Sequence, residues 1–254
     1  MKELVNPNGN FIPVYGLYCH ERFGYLIGAY VVETDAAGNP TLKYQRLLPE
    51  NYSSFAHKLD ENDKKLTHIL YEISVDGLYK QFGAKEAGLG QFLERFNESA
   101  YKQLLWDYIE RRKIEAFALL AKKRFFLKSK DGYPVWKPLT IVSEKAKIKF
   151  YFHRNEKETL YWIKLVYQGL EYDLNTDFSG VLTQSPAWLL WNQLIVPLEE
   201  QTDGKKLIPF IKKKCISIPR HQEKEYYSKF LLRLLETHEV DLQGFDVCKL
   251  SRKP

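Results

Sequence analysis

AKIKFYFHRNEKETLYWIKLVY, residues 146–167, is the stretch whose reading decides the fold of this chain. Ile148, Phe150 and Phe152 alternate with Lys147, Lys149 and Tyr151. After a polar segment, Tyr161, Ile163, Leu165 and Tyr167 alternate with Trp162, Lys164 and Val166. Successive side chains of a strand point to opposite faces, so strict alternation predicts two half-buried strands. Arg154 to Glu158 carries nothing that can pack, and the chain is expected to reverse there into an antiparallel hairpin. One face of that hairpin is oily. The other offers Lys147, Lys149, Tyr151, Trp162 and Lys164, a mixture of cations and rings.

Outward from the hairpin, the same patterns predict further elements. Tyr25 to Thr34 and Thr41 to Leu48 flank the turn composition Asp35-Ala-Ala-Gly-Asn-Pro40 and predict a first hairpin. Pro49 to Leu59 predicts a short helix. Asp60 is placed to cap the helix in which Leu66, Ile69, Leu70 and Ile73 share a face, with Asp76-Gly77 as its stop. Gly83 to Gly90 is expected to be a loop, without the spacing of a phosphate-binding loop. Ser99 to Lys122 is the longest predicted helix, with Tyr101, Leu104, Leu105, Tyr108, Ile109, Ala116, Leu119 and Leu120 as its buried stripe. Past the central hairpin, Gly169 to Leu174 is expected to be a third strand. Ser185-Pro186 would start a helix over an apolar run. Ile216 to Pro219 predicts a strand, Gln222 to His238 an amphipathic helix with Tyr227, Phe230, Leu231, Leu234 and Leu235 inward, and Val240 to Val247 a closing strand. The expected fold class is therefore α+β, with antiparallel hairpins packed against several amphipathic helices. A mixed α/β part over residues 1–130 would precede a sheet-centred basic part over 131–254, unless the two form one domain.

The 254 residues carry a net charge of +6, unevenly spread. Residues 1–110 hold 11 Lys/Arg against 15 Asp/Glu, and residues 111–254 hold 27 against 17. A basic half either faces a polyanion or is a solvated surface. Lys122, Lys123 and Arg124 suit the C-terminal end of a helix and also begin a basic tract that runs to Lys149; Lys212, Lys213 and Lys214 form a second one. Cations neutralise phosphates with release of counterions, and rings stack on unpaired bases. The candidate nucleic-acid contacts are accordingly Lys122, Lys123, Arg124, Lys147, Lys149, Tyr151, Trp162, Lys164, Lys212, Lys213 and Lys214. The same hairpin face would equally suit a structural role, with Tyr151 and Trp162 covered by a helix and the Lys heads reaching water.

Motifs of catalysis or metal binding do not emerge. The six His form no His-x-x-x-His pair, and no Gly-x-Ser-x-Gly elbow is present. Asp173-Leu-Asn-Thr-Asp177 begins like a calcium loop, but Phe178 and Gln184 stand where Gly and Glu are required. Asp63-Lys64-Lys65 has the Asp-x-Lys spacing of many metal-dependent nucleases, a pattern that also arises by chance. No cofactor or metal is expected. Cys19, Cys215 and Cys248 are odd in number and far apart, which predicts reduced thiols in a cytoplasmic protein. No apolar run approaches the roughly 20 residues that cross a bilayer, so no membrane contact is expected.

Val181-Leu-Thr-Gln-Ser-Pro-Ala-Trp-Leu-Leu190, Leu207-Ile-Pro-Phe-Ile211 and Val240-x-x-x-Gly244-Phe245-Asp-Val247 together resemble the N-terminal accessory region of bacterial SWI/SNF-family helicases. The resemblance covers about residues 140–250 and includes no Walker A loop and no Asp-Glu-x-His box. It implies a non-catalytic accessory domain that assists DNA contact or regulates a DNA-dependent ATPase, with the motor following Pro254 in the same polypeptide. The alternatives are a protein-interaction module that binds no nucleic acid, and a metal-dependent nuclease.

Overall fold

The computed structural model describes residues 5–128, 137–175 and 179–245. The fold is α+β, built from mixed sheets with mostly antiparallel strands. The chain divides into two compact units, 1–141 and 142–254.

In the first unit, β1 (Phe11–His20) pairs antiparallel with β2 (Gly24–Thr34), which pairs antiparallel with β3 (Pro40–Arg46). Gly24, at φ +66°, makes the tight β1–β2 turn, and the His20 ring accepts the backbone N–H groups of Arg22 and Phe23 there. β4 (Phe125–Leu127) lies parallel to β1 and is followed by β5 (Lys137–Pro138) and a two-residue strand, β6 (Thr140–Ile141). Between β3 and β4 run α1 (Tyr52–Phe55), α2 (Glu61–Glu72), α3 (Val75–Phe82), α4 (Leu89–Arg95) and α5 (Ser99–Leu120).

Asp60 caps α2 as its sequence position predicts. Its carboxylate accepts the Asp63 N–H at 2.9 Å while Asp63 accepts the Asp60 N–H at 2.9 Å, a reciprocal capping box. The helix ends earlier than Asp76-Gly77. Ser74 caps a new helix, α3, and Gly77 lies inside it. A Cβ on Gly77 would sit 2.0 Å from the Tyr71 carbonyl, so the glycine answers a close backbone approach rather than a helix stop. The end of the expected Gly83–Gly90 loop likewise enters α4. In α5, Tyr101, Leu105, Ile109, Ala116 and Leu120 are buried as predicted, but Leu104 is 52% exposed, and Lys113 and Phe117 are buried in its stead. The stripe drifts round the helix because 3.6 residues per turn matches no fixed repeat over 22 residues.

In the second unit, the central hairpin forms as β7 (Lys147–Arg154) and β8 (Glu158–Tyr167), in the register Lys149↔Lys164, Tyr151↔Trp162. Asn155 closes its turn by accepting the Lys157 and Glu158 N–H groups on its side chain. The oily face, with Ile148, Phe150, Phe152, Tyr161, Ile163 and Leu165, is buried. β9 (Leu170–Asp173) and β13 (Ile216–Pro219) share one edge of β8, and β14 (Glu239–Gln243) runs parallel to β7. Pairing is mostly antiparallel, as expected; among the described strands β1–β4 and β7–β14 run parallel. In each, a helical segment returns the chain to run alongside the earlier strand, and such crossovers permit parallel pairing.

The predicted helix after Ser185-Pro186 is instead a sheet: β10 (Ser179–Gln184), β11 (Ala187–Trp191) and β12 (Leu194–Pro197) run antiparallel. A short apolar run suits a buried strand as well as a buried helix, and the Asn192-Gln193 turn decides for the strand. α6 (Ile208–Lys212), α7 (Arg220–Tyr226), a π turn over Tyr227–Leu231 and α8 (Leu232–Thr237) complete the unit. Leu231 and Leu234 face the core, whereas Leu235 is 42% exposed, because the π turn rotates the following face. The middle of the basic tract between Lys122 and Lys149, the second half of the calcium-like stretch, Val247 and Cys248 lie outside the described residues. None of the described helices is long and apolar enough to cross a membrane.

Candidate nucleic-acid interface

The outer face of the β7–β8 hairpin carries the expected residues, and tertiary structure adds one that changes its character. Tyr151 and Trp162 are directly opposed across the two strands, and their rings stack with centroids 5.4 Å apart and planes 7° from parallel. Beside them, β9 delivers Glu171. Its carboxylate accepts the Tyr151 hydroxyl at 2.5 Å and pairs with Lys149 at 2.9 Å and Lys164 at 3.9 Å. The hydrogen bonds from Tyr151 and Lys149 hold the Glu171 carboxyl below the usual carboxylate range. The reciprocal bond to Glu171 raises the Lys149 ammonium. Tyr151 is buried, at 8% exposure, and Trp162 is half-buried. Part of this face's positive charge is instead neutralised within the fold. Lys147 is more open, half exposed and 3.7 Å from Glu199.

The opposite edge of β8 is interrupted. β13 pairs with β8 up to Tyr161, and β9 pairs from Lys164 onward. Among the described residues no strand lies beside Trp162 and Ile163 on that edge, and a cavity of about 260 Å³ opens there. Leu160, Trp162, Ile163, Leu174 and Phe210 form its apolar lining, and Asp173, Asn175, Lys214 and Cys215 contribute polar atoms. Lys212 ends α6 and Lys213 and Lys214 follow it; all three are exposed, with no ion-pair partner among the described residues. They are the least encumbered cations of the predicted set in this unit.

The three basic residues of the first unit differ among themselves. Lys122 and Arg124 are exposed. Lys123 is committed to the fold: its ammonium lies 2.7 Å from Asp60 and 2.6 Å from Asp63. Burial pulls that ammonium down, but the two carboxylates keep it above its ordinary value. Asp63 also accepts the buried Tyr15 hydroxyl at 2.6 Å, and burial together with this bond pushes the Tyr15 phenol far up.

This arrangement overturns the nuclease spacing as a site. Asp63 is 2% exposed and is consumed by Tyr15, Lys123 and the cap, while Lys64 and Lys65 point to solvent. Two residues along a helix lie about 200° apart, so Asp63 and Lys65 cannot converge. Among the described residues, no three of His, Cys, Asp and Glu are grouped to hold a metal.

A second polar network, not anticipated from sequence, sits at the hairpin turn. Glu223 of α7 is 4% exposed and accepts Thr159 Oγ1 at 2.8 Å, Arg154 Nη2 at 3.0 Å and Arg220 Nη1 at 3.1 Å. Burial raises its carboxyl, but these donors outweigh burial and hold it low. The network clamps α7 onto the hairpin. No signal in the sequence distinguishes Glu223 from the solvated glutamates around it. Glu171 was also missed: it stood within a predicted strand, but the register that brings it to Tyr151 is a tertiary fact. Compared with protein-family models, curated proteins and solved structures, the chain matches none.

Proposed function

We propose that this chain is a non-catalytic accessory domain that contacts nucleic acid, of the kind that precedes the motor of a SWI/SNF-family DNA-dependent ATPase. The observation that carries the reading is the exposed run Lys212 to Lys214, without an ion-pair partner among the described residues, of which Lys214 lines a cavity together with Trp162. Cations without internal partners are available to phosphates, and each phosphate neutralised adds to a salt-dependent affinity.

The test is binding of the chain to single- and double-stranded DNA across a salt series. Micromolar binding that weakens with salt, and is lost in Lys212→Glu with Lys213→Glu and Lys214→Glu, is the expected result. Absence of binding at low salt overturns the reading and favours a protein-interaction module.

A further inference from the structure

The gap in the β8 edge has a shape and position that the nucleic-acid reading alone does not require. Among the described residues Trp162 stacks on one ring, that of Tyr151 of β7. Neighbouring strands lie about 4.8 Å apart, so cross-strand rings stack along the direction in which strands follow one another. The next position in that direction, beyond Trp162, is where β13 has already ended and β9 has not yet begun. The cavity occupies it. The two-ring stack therefore ends at a place that no strand among the described residues fills.

The lining defines what fits. At about 260 Å³ the gap lies below the roughly 300–1,000 Å³ of pockets for drug-sized ligands, which limits the occupant to about one ring system. Asp173 supplies acceptors, and Asn175 supplies a donor and an acceptor. Strand residues alternate the direction of their backbone groups, so one of Trp162 and Ile163 also presents its N–H and C=O to the gap. Charge is asymmetric: Lys214 stands among the lining residues and continues into Lys213 and Lys212, whereas Asp173 comes from the β9 end. A flat ring with polar edges that is attached to an anion matches each of these features.

We propose that this gap receives a single unpaired nucleobase of a nucleic-acid strand, as the third member of the Tyr151–Trp162 stack, with the adjoining phosphate at Lys214. The inference rests on the nucleic-acid reading above and adds to it a requirement for an unpaired base. A duplex keeps its bases stacked inside and cannot fill the gap without losing that stacking.

The experiment uses the whole chain and three ligands of equal length: a thymidine oligonucleotide, the same sugar–phosphate chain with its bases removed, and a duplex. Binding is followed by anisotropy of a labelled ligand end and by tryptophan emission. The expected result is binding of the thymidine strand about tenfold tighter than the base-free chain, a contribution in the range of one base–aromatic stack. Quenching of emission by the thymidine strand alone, lost in Trp162→Leu, is expected with it. Equal affinity for the thymidine and base-free strands overturns the base site while leaving the phosphate contact intact. Binding of no ligand overturns both. The base-free comparison is made on the unaltered chain, so it stands even where Trp162→Leu fails to fold.

Discussion

Glu171→Gln separates the structural from the functional role of the hairpin face. The carboxylate lies 2.9 Å from Lys149 and 3.9 Å from Lys164, and it accepts the Tyr151 hydroxyl. Glutamine keeps the shape and an acceptor for Tyr151 but removes the charge. A phosphate approaching this face at about 4–6 Å from the carboxylate is repelled by about 1 kcal/mol in water, or about fivefold in affinity. Releasing two lysines to phosphates steepens the salt dependence of single-strand binding by up to about 1.4 in log K per log salt. Stability changes little, by about 0–1 kcal/mol, because all three charged groups are about one-third exposed and such pairs are screened. The assay is anisotropy of a labelled single strand between low and physiological salt, with urea unfolding as the control. Tighter binding with a steeper slope is expected. Unchanged affinity and slope, with stability intact, would refute the idea that Lys149 and Lys164 lie within reach of phosphates.

Two further expectations concern the fold that carries the site. Asp63→Ala leaves the Tyr15 hydroxyl and the Lys123 ammonium without their shared acceptor and opens the α2 cap, and should cost about 3 kcal/mol in urea unfolding. Lys65→Ala should stay within about 0.5 kcal/mol; a loss below about 1 kcal/mol for Asp63→Ala would remove the cluster's structural role. Burial depresses the Lys113 ammonium from 10.5 to about 8, with Glu110 and Cys19 opposing. Between those values the unfolded chain binds more protons than the folded one, so stability should rise with pH from about 8 towards 10, by at most about 1.4 kcal/mol per unit. Above about 10 the raised phenols of Tyr18 and Tyr30 act in the opposite sense, because the folded chain then holds the protons. Lys113→Met should flatten the rise between 8 and 10, read from urea midpoints; an unaltered rise excludes Lys113 as its source.

Much of the central hairpin was legible because its signal is local. Period-two alternation over Lys147–Tyr167 and a turn with nothing to pack define two strands and their inward face without reference to the rest of the chain. The Asp60 cap and the α5 helix were legible for the same reason. The helix expected after Ser185-Pro186 was not, since five apolar residues carry no decisive period and the choice is made by what they pack against. Leu104 and Leu235 were misplaced because only the partner surface selects the buried face of a helix, and before Leu235 a π turn also shifts the phase.

The candidate site shows the same division at the level of single residues. Composition and alternation alone determined an α+β chain with a basic second half, and they put Lys149, Tyr151, Trp162 and Lys164 on one sheet face. Only the tertiary structure decided which cations remain available. It brings Glu171 to Lys149 and Lys164, binds Lys123 between Asp60 and Asp63, and leaves Lys212 to Lys214 open. It also decided that β9 and β13 stop short of one another along β8 and that Trp162 lines a cavity there. The physical reason is range. Side-chain direction along a strand is fixed by the backbone period within a few residues, whereas ion pairing and strand-edge occupancy depend on segments brought together from distant parts of the chain.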